Sequence, residues 1–105
     1  MRFYRNLYAG EKASRSHFAI IRALRKEKHR HDSYVITRAF DSDGILEIYQ
    51  DSMLFKDYYR EKDPLVLGIA VGRPEAMEVA RTIVSDLYAR NGDFDIDAFC
   101  DPDNT

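Results

Sequence analysis

Leu65-Val66-Leu67-Gly68-Ile69-Ala70-Val71, running on into Gly72-Arg73-Pro74-Glu75-Ala76, is the stretch that decides how this chain folds. The seven residues between Pro64 and Gly72 are apolar on both faces. They suit a strand covered on both faces. Alternation places Leu65, Leu67, Ile69 and Val71 on a large face, and Val66, Gly68, Ala70 and Gly72 on a small one. A small face lets a helix approach the sheet closely. Pro74 then fits the first position of a helix over residues 74–90, and Glu75 complements the positive end of its dipole. Ala76, Ala80, Ile83, Val84 and Leu87 form that helix's apolar stripe, joined by Met77 and Tyr88, and Asn91-Gly92 supplies a C-terminal cap. Asp95-Ile96-Asp97-Ala98-Phe99 is expected to dock back onto the core.

Upstream, residues 34–40 and 45–50 are rich in β-branched and aromatic types, as strands are. Asp41-Ser42-Asp43-Gly44 lies between them. Asp-Gly favours the positive φ of a tight turn, so these two strands are expected to pair antiparallel as a hairpin. Residues 51–63 have partial helical spacing and read as a short helix or ordered loop. Residues about 12–30 read as one amphipathic helix, with Ala13, His17, Ile20 and Leu24 on one face and Ile21 beside them. Residues 3–8 are aromatic-rich and suit a short strand or an extended docking segment; as a fourth strand beside Leu65–Val71 they would make that strand interior. The expected order is α-β-β-(short α)-β-α. The fold class is α+β, a three- or four-stranded mostly antiparallel sheet packed against two main helices. All 105 residues fit one domain, with the polar end from residue 100 to 105 fraying.

Composition narrows the setting. Hydrophobic residues make up 45% of the chain, including seven Tyr and six Phe, which excludes the low-hydrophobicity class of disordered chains. No run of 18 apolar residues could cross a membrane, and Met1-Arg2-Phe3-Tyr4-Arg5 has no apolar leader segment. Cys100 is the only cysteine, so no internal disulfide can form, and a reducing, cytoplasmic location is expected. The net charge of −2 hides a division. Residues 1–40 carry a net +7 and residues 41–105 a net −9. Such halves suit an anionic partner, or each other.

The candidate sites are few. Arg15, Arg22, Lys26 and His29, flanked by Arg25 and Arg30, form a basic stripe on the first helix, with Phe18 out of pattern among them. Several cations on one face with an aromatic residue suit nucleic acid, although the chain as a whole is acidic. Arg73 at a helix start could hold an anion, yet the glycine spacing of a dinucleotide site and the Gly-Lys-Ser/Thr of a phosphate loop are both absent. Asp41-x-Asp43-Gly44 lacks the full calcium-loop pattern and is explained as turn chemistry. Asp93-x-Asp95-x-Asp97 reads as a solvated segment. His17 reads as a core residue, and His29 and His31 have no cysteine or carboxylate at zinc-ligand spacing. Cys100 has no positioned base nearby in sequence. No cofactor, metal site or catalytic residue is expected.

Phe3-Tyr4-x-Asn6-Leu7-Tyr8, Leu46-Glu47-Ile48, Gly68-Ile69-Ala70-x-Gly72-x-x-Glu75-Ala76 and Asp95-Ile96 together give the chain a resemblance. It resembles a loose group of small uncharacterised bacterial proteins of about this length. The resemblance implies no activity and no functional residue. The leading expectation is a non-enzymatic interaction module that self-associates as a homodimer. Phe18 on a polar face, abundant tyrosine and the opposed charges motivate it. Nucleic-acid binding through the first helix is the alternative. An enzyme with a pocket near Gly72-Arg73 is the third reading.

Overall fold

The computed structural model describes residues 1–100. Ser33–Arg38 (β2) and Leu46–Gln50 (β3) pair antiparallel, with Ile36 opposite Ile48. Leu65–Val71 (β4) runs antiparallel to β2 on its other side, and Arg2–Ala9 (β1) runs parallel to β4. The sheet order is β1-β4-β2-β3, so two of its three pairings are antiparallel. β4 is therefore interior, as its unbroken apolar run requires, and residues 3–8 do supply the fourth strand.

Helices cover both faces. Arg73–Asn91 (α4) and Ile96–Cys100 (α5) lie on one, over Ile36, Leu65, Leu67 and Ala70. The other face carries Glu11–Ser14 (α1), His17–Arg25 (α2), a 3-10 turn over Asp51–Phe55 and the short helix Asp57–Glu61 (α3). There Ala13, Ile20, Leu24 and Leu54 pack on Val35, Val66 and Ile69. The fold is thus α+β with α4 and α2 as its main helices. Among the described residues no helix is long and apolar enough to cross a membrane.

Four expectations need correction. The faces of β4 do not follow simple alternation. Thr37 pairs with Val66 and Ile36 with Gly68, which leaves Leu67 as a bulge. A bulge adds one residue and resets the alternation beyond it. Leu65, Leu67, Gly68 and Ala70 consequently face α4, while Val66, Ile69 and Val71 face the other way. The close approach is real but rests on Gly68, where a Cβ would lie 2.7 Å from Val79 Cγ1.

The first helix is two helices and stops early. Arg15 and Ser16 bond back three residues, to Lys12 and Ala13, and the chain restarts at His17. Two serines, which offer competing local hydrogen bonds, sit at this break. α2 then ends at Arg25. Glu27 takes a left-handed φ of 54°, and the N–H groups of Glu27 and Lys28 bond the carbonyls of Leu24 and Ala23. This is a Schellman stop with Glu where glycine is usual, so no composition signal marks it.

The hairpin loop is wider than a two-residue turn. Gly44 is not at positive φ, and Ala39 N–H closes the loop on Ile45. The Glu47 carboxylate organises it by accepting from the N–H groups of Phe40 and Asp41 and from the Tyr49 hydroxyl.

Finally, α4 begins one residue earlier than expected, with Pro74 in second place. Its buried stripe is Ala76, Val79, Ile83 and Leu87, while Met77 and Tyr88 stay exposed. The Gly92 cap forms as expected, left-handed and bonded to Tyr88. α5 docks as expected through Phe99. Cys100 closes α5 and is buried; residues 101–105, expected to fray, lie outside the described residues.

Candidate interaction surfaces and a saturated cleft

The expected basic stripe is partly dispersed. Arg15 caps the C-terminal end of α1 and pairs with Glu11 at 3.2 Å. The Arg25 guanidinium lies 4.7 Å over the Phe3 ring. Lys26 caps α2, and His29 lies beyond it in the connection to β2. Arg22 stays on the outer face of α2 with Phe18, which is 81% exposed and touches only the half-buried His17 ring edge-on among ring contacts. Phe18 is therefore not covered by its own chain.

A buried carboxylate holds the segment that follows α2. Asp51, 1% exposed, accepts from His29 Nδ1 at 2.6 Å, from Arg30 N–H at 2.8 Å and from Ser52 N–H at 2.6 Å. Buried carboxylates persist where such partners are supplied. Every residue from Arg25 to Asp32 is exposed, so Asp51 fixes an outward loop carrying Lys26, Lys28, Arg30 and His31. No local pattern marks this link, because Asp51 starts a separate element.

A second surface lies between α4 and β3. Leu46, Ile48, Met77, Ala80, Arg81 and Val84 line an open groove of about 530 Å³. Tyr88 and Phe94 stack at 5.1 Å further along α4. α4 is apolar over a wider arc than its own sheet covers. Met77, Val84 and Tyr88 were expected in the core stripe, and they form the surplus.

A third feature is a cleft of about 600 Å³ between the end of β1 and the start of α4, lined by Tyr8, Gly10, Lys12, Glu75, Glu78 and Thr82 among others. Its carboxylates and its phenol are already engaged. The Glu75 carboxylate accepts from Val71, Lys12 and Ala13 N–H at 2.9, 2.8 and 3.1 Å. It fills the space where a Cβ on Gly10 would sit. Burial raises its proton affinity, but these three donors outweigh burial and hold the carboxyl below the usual glutamate range. The Tyr8 hydroxyl donates to Asp86 at 2.6 Å. Burial and that carboxylate push the phenol up, so it is a donor at neutral pH. Glu78 pairs with Arg81 and Glu11 with Arg15. Arg73 is exposed at the first position of α4 and does not line the cleft.

Glu75 makes a pH-dependent contribution. Glu75→Gln retains one acceptor oxygen but turns an amide N–H toward a backbone donor, and is expected to cost about 2 kcal/mol at neutral pH. A carboxyl with a lowered folded-state pKa stabilises fully above its unfolded value, here 4.5, and loses that contribution as pH falls through the folded value. Urea unfolding of both proteins should therefore show the gap near pH 7 and its narrowing toward about pH 3. A constant gap would refute the linkage.

Among the described residues no three His, Cys, Asp or Glu side chains are grouped to hold a metal. Asp93 and Asp95 cap the turn into α5, with Asp95 accepting from Ala98 N–H, and Asp41 accepts from the Tyr58 hydroxyl. No family model, curated protein or solved structure matches this chain.

Proposed function

We propose that the protein is a non-enzymatic interaction module that self-associates, as a twofold dimer built on β3 and α4. The unguarded edge of β3 beside the apolar α4 groove is the observation that carries this reading. Edge strands invite pairing, and proteins blunt them with charges, proline or bulges. The two edges of this sheet differ in that respect. β1 carries Arg2 and Arg5, and its residues Tyr4–Leu7 bulge opposite the single residue Leu67. β3, Leu46-Glu47-Ile48-Tyr49-Gln50, has no proline, lysine, arginine or bulge, and its only acid is folded inward onto its own loop.

An antiparallel pairing of β3 with its copy is isologous, as a twofold axis requires. It extends the sheet to eight strands and sets the two α4 helices on one face, where Met77 and Val84 meet their copies. This supplies the cover that the surplus apolar arc of α4 lacks. The single buried thiol fits a module working in the cytoplasm.

Light scattering at tens of micromolar tests the reading. The expected mass is twice 12.2 kDa. Met77→Glu with Val84→Glu is expected to give the monomer mass with an unchanged circular dichroism spectrum, because both side chains already reach solvent. Phe18→Ala, on the other side of the sheet, is expected to remain dimeric. A monomeric wild type overturns the proposal. Dissociation by Phe18→Ala but not by the α4 pair would move the interface to α2 and overturn its placement here.

A further inference from the structure

We infer that the outer face of α2, with the loop that follows it, binds single-stranded nucleic acid. Phe18 is the stacking platform, and the cations of Arg22, Lys26, Lys28 and Arg30 take the phosphates. This does not depend on the dimer, since α2 and the α4 groove lie on opposite faces of the sheet.

Four observations converge. Phe18 is the most exposed large apolar side chain among the described residues, on a helix whose opposite face is well buried at Ile20 and Leu24. It is surplus to the core, and exposed aromatic rings flanked by cations are how proteins hold unpaired bases. The second observation concerns the cations. Among the described residues, Arg22, Lys26, Lys28 and Arg30 have no ion-pair partner, whereas most of the other arginines near them are engaged. Of the nearby acids, Glu11 is paired with Arg15 and Glu27 with Arg60 at 2.9 Å, while Asp32 lies 3.2 Å from the His31 ring. These four cations outnumber Asp32 and Asp51, the two acids here that no lysine or arginine pairs, so the face keeps a positive excess.

Third, the spacing suits a chain of phosphates. Phe18, Arg22 and Lys26 are successive i, i+4 neighbours, each step about 6 Å along one helix face. Lys28 and Arg30 follow in the exposed loop beyond the end of α2. Fourth, the loop is held rather than loose. Asp51 clamps it at His29 and Arg30, and the left-handed Glu27 and Asp32 fix its two bends. A backbone held in place loses less freedom on binding. Duplex fits less well, because an exposed ring gains nothing from bases already stacked on each other.

The probe is a fluorescent oligo-thymidylate of about 15 nucleotides, long enough to span such a site. Anisotropy titration at low salt should show saturable binding. The slope of log affinity against log salt should be near −3, from about four phosphate contacts in a single strand. Arg22→Glu with Lys26→Glu should weaken binding at least about tenfold. Phe18→Ala should weaken it by about tenfold with the salt slope unchanged, since stacking releases no counterion. These side chains are exposed, so the variants should melt as the wild type does.

Absence of binding at low salt overturns the inference, as does binding indifferent to the charge reversal. Wild-type affinity in Phe18→Ala removes the stacking platform. Equal affinity for a poly-glutamate of the same charge would make this a surface for acidic peptide instead. None of these results depends on the oligomeric mass.

Discussion

Gly68→Val is expected to destabilise the protein by about 3 kcal/mol or more, and Gly68→Ala by about 2 kcal/mol. A Cβ at this position meets Val79 Cγ1 at 2.7 Å and the Cβ and carbonyl oxygen of Tyr8 at 3.4 Å. Val79 is buried and β-branched, with little rotamer freedom to retreat. The added carbon must therefore lift α4 from the sheet. A double-mutant cycle tests the cause. Val79→Ala removes the opposing methyl group and costs about 1–2 kcal/mol alone. Combined with Gly68→Ala it should cost clearly less than the two singles together, as contacting sites do. Additive losses in urea unfolding would mean that the clash is not what makes glycine necessary.

Phe99→Ala is expected to cost about 3–4 kcal/mol. Phe99 is 1% exposed, stacks on Tyr4 at 6.0 Å and lies under the Arg90 guanidinium at 4.5 Å. It is the main anchor of α5, a helix of five residues that cannot persist without packing. The melting temperature should fall by more than about 10 °C, and Phe99→Leu should recover roughly half of the loss. A cost below about 1 kcal/mol would make α5 an appendage rather than part of the core.

What the sequence revealed was what local rules govern. The unbroken run Leu65–Val71 announced an interior strand, and the aromatic segment 3–8 supplied the neighbour it needed. Gly92 marked the end of α4 because a left-handed cap favours glycine. The same kind of reading failed where one residue acts against its type. Glu27 ends α2 in a conformation that glycine would advertise, so periodicity alone carries the helix on to residue 30. Leu67 bulges, and nothing in an apolar run distinguishes the residue that is skipped.

The candidate surfaces were legible to a different degree. Phe18 stood out because an aromatic residue on a basic face has no packing explanation, and it proves uncovered. The carboxylates that organise the surfaces were not legible at all. Glu75 reaches α1 from more than sixty residues away, and Asp51 reaches back 21 positions to Arg30. Such pairings depend on the sheet order, which no local pattern encodes. The α4 groove was hidden for the opposite reason. Its residues looked like core because they are apolar at helical spacing, and spacing does not say how wide an arc the sheet can cover.

The parallel seat of β1 sets a timetable for synthesis. Arg2 pairs with Leu65, so the first strand leaves the ribosome about sixty residues before its hydrogen-bonding partner exists. At 5–20 residues per second that is a wait of roughly 3–12 seconds, whereas a hairpin such as β2–β3 closes within about 10 microseconds. The β2–β3 hairpin can therefore form long before β1 has any strand to pair with. Throughout that interval the nascent β1 is an unpaired strand among neighbouring chains. Its arginines and its irregular centre make it a poor template for them, so the feature that leaves β3 as the open edge of the finished fold also shields the chain before there is a fold.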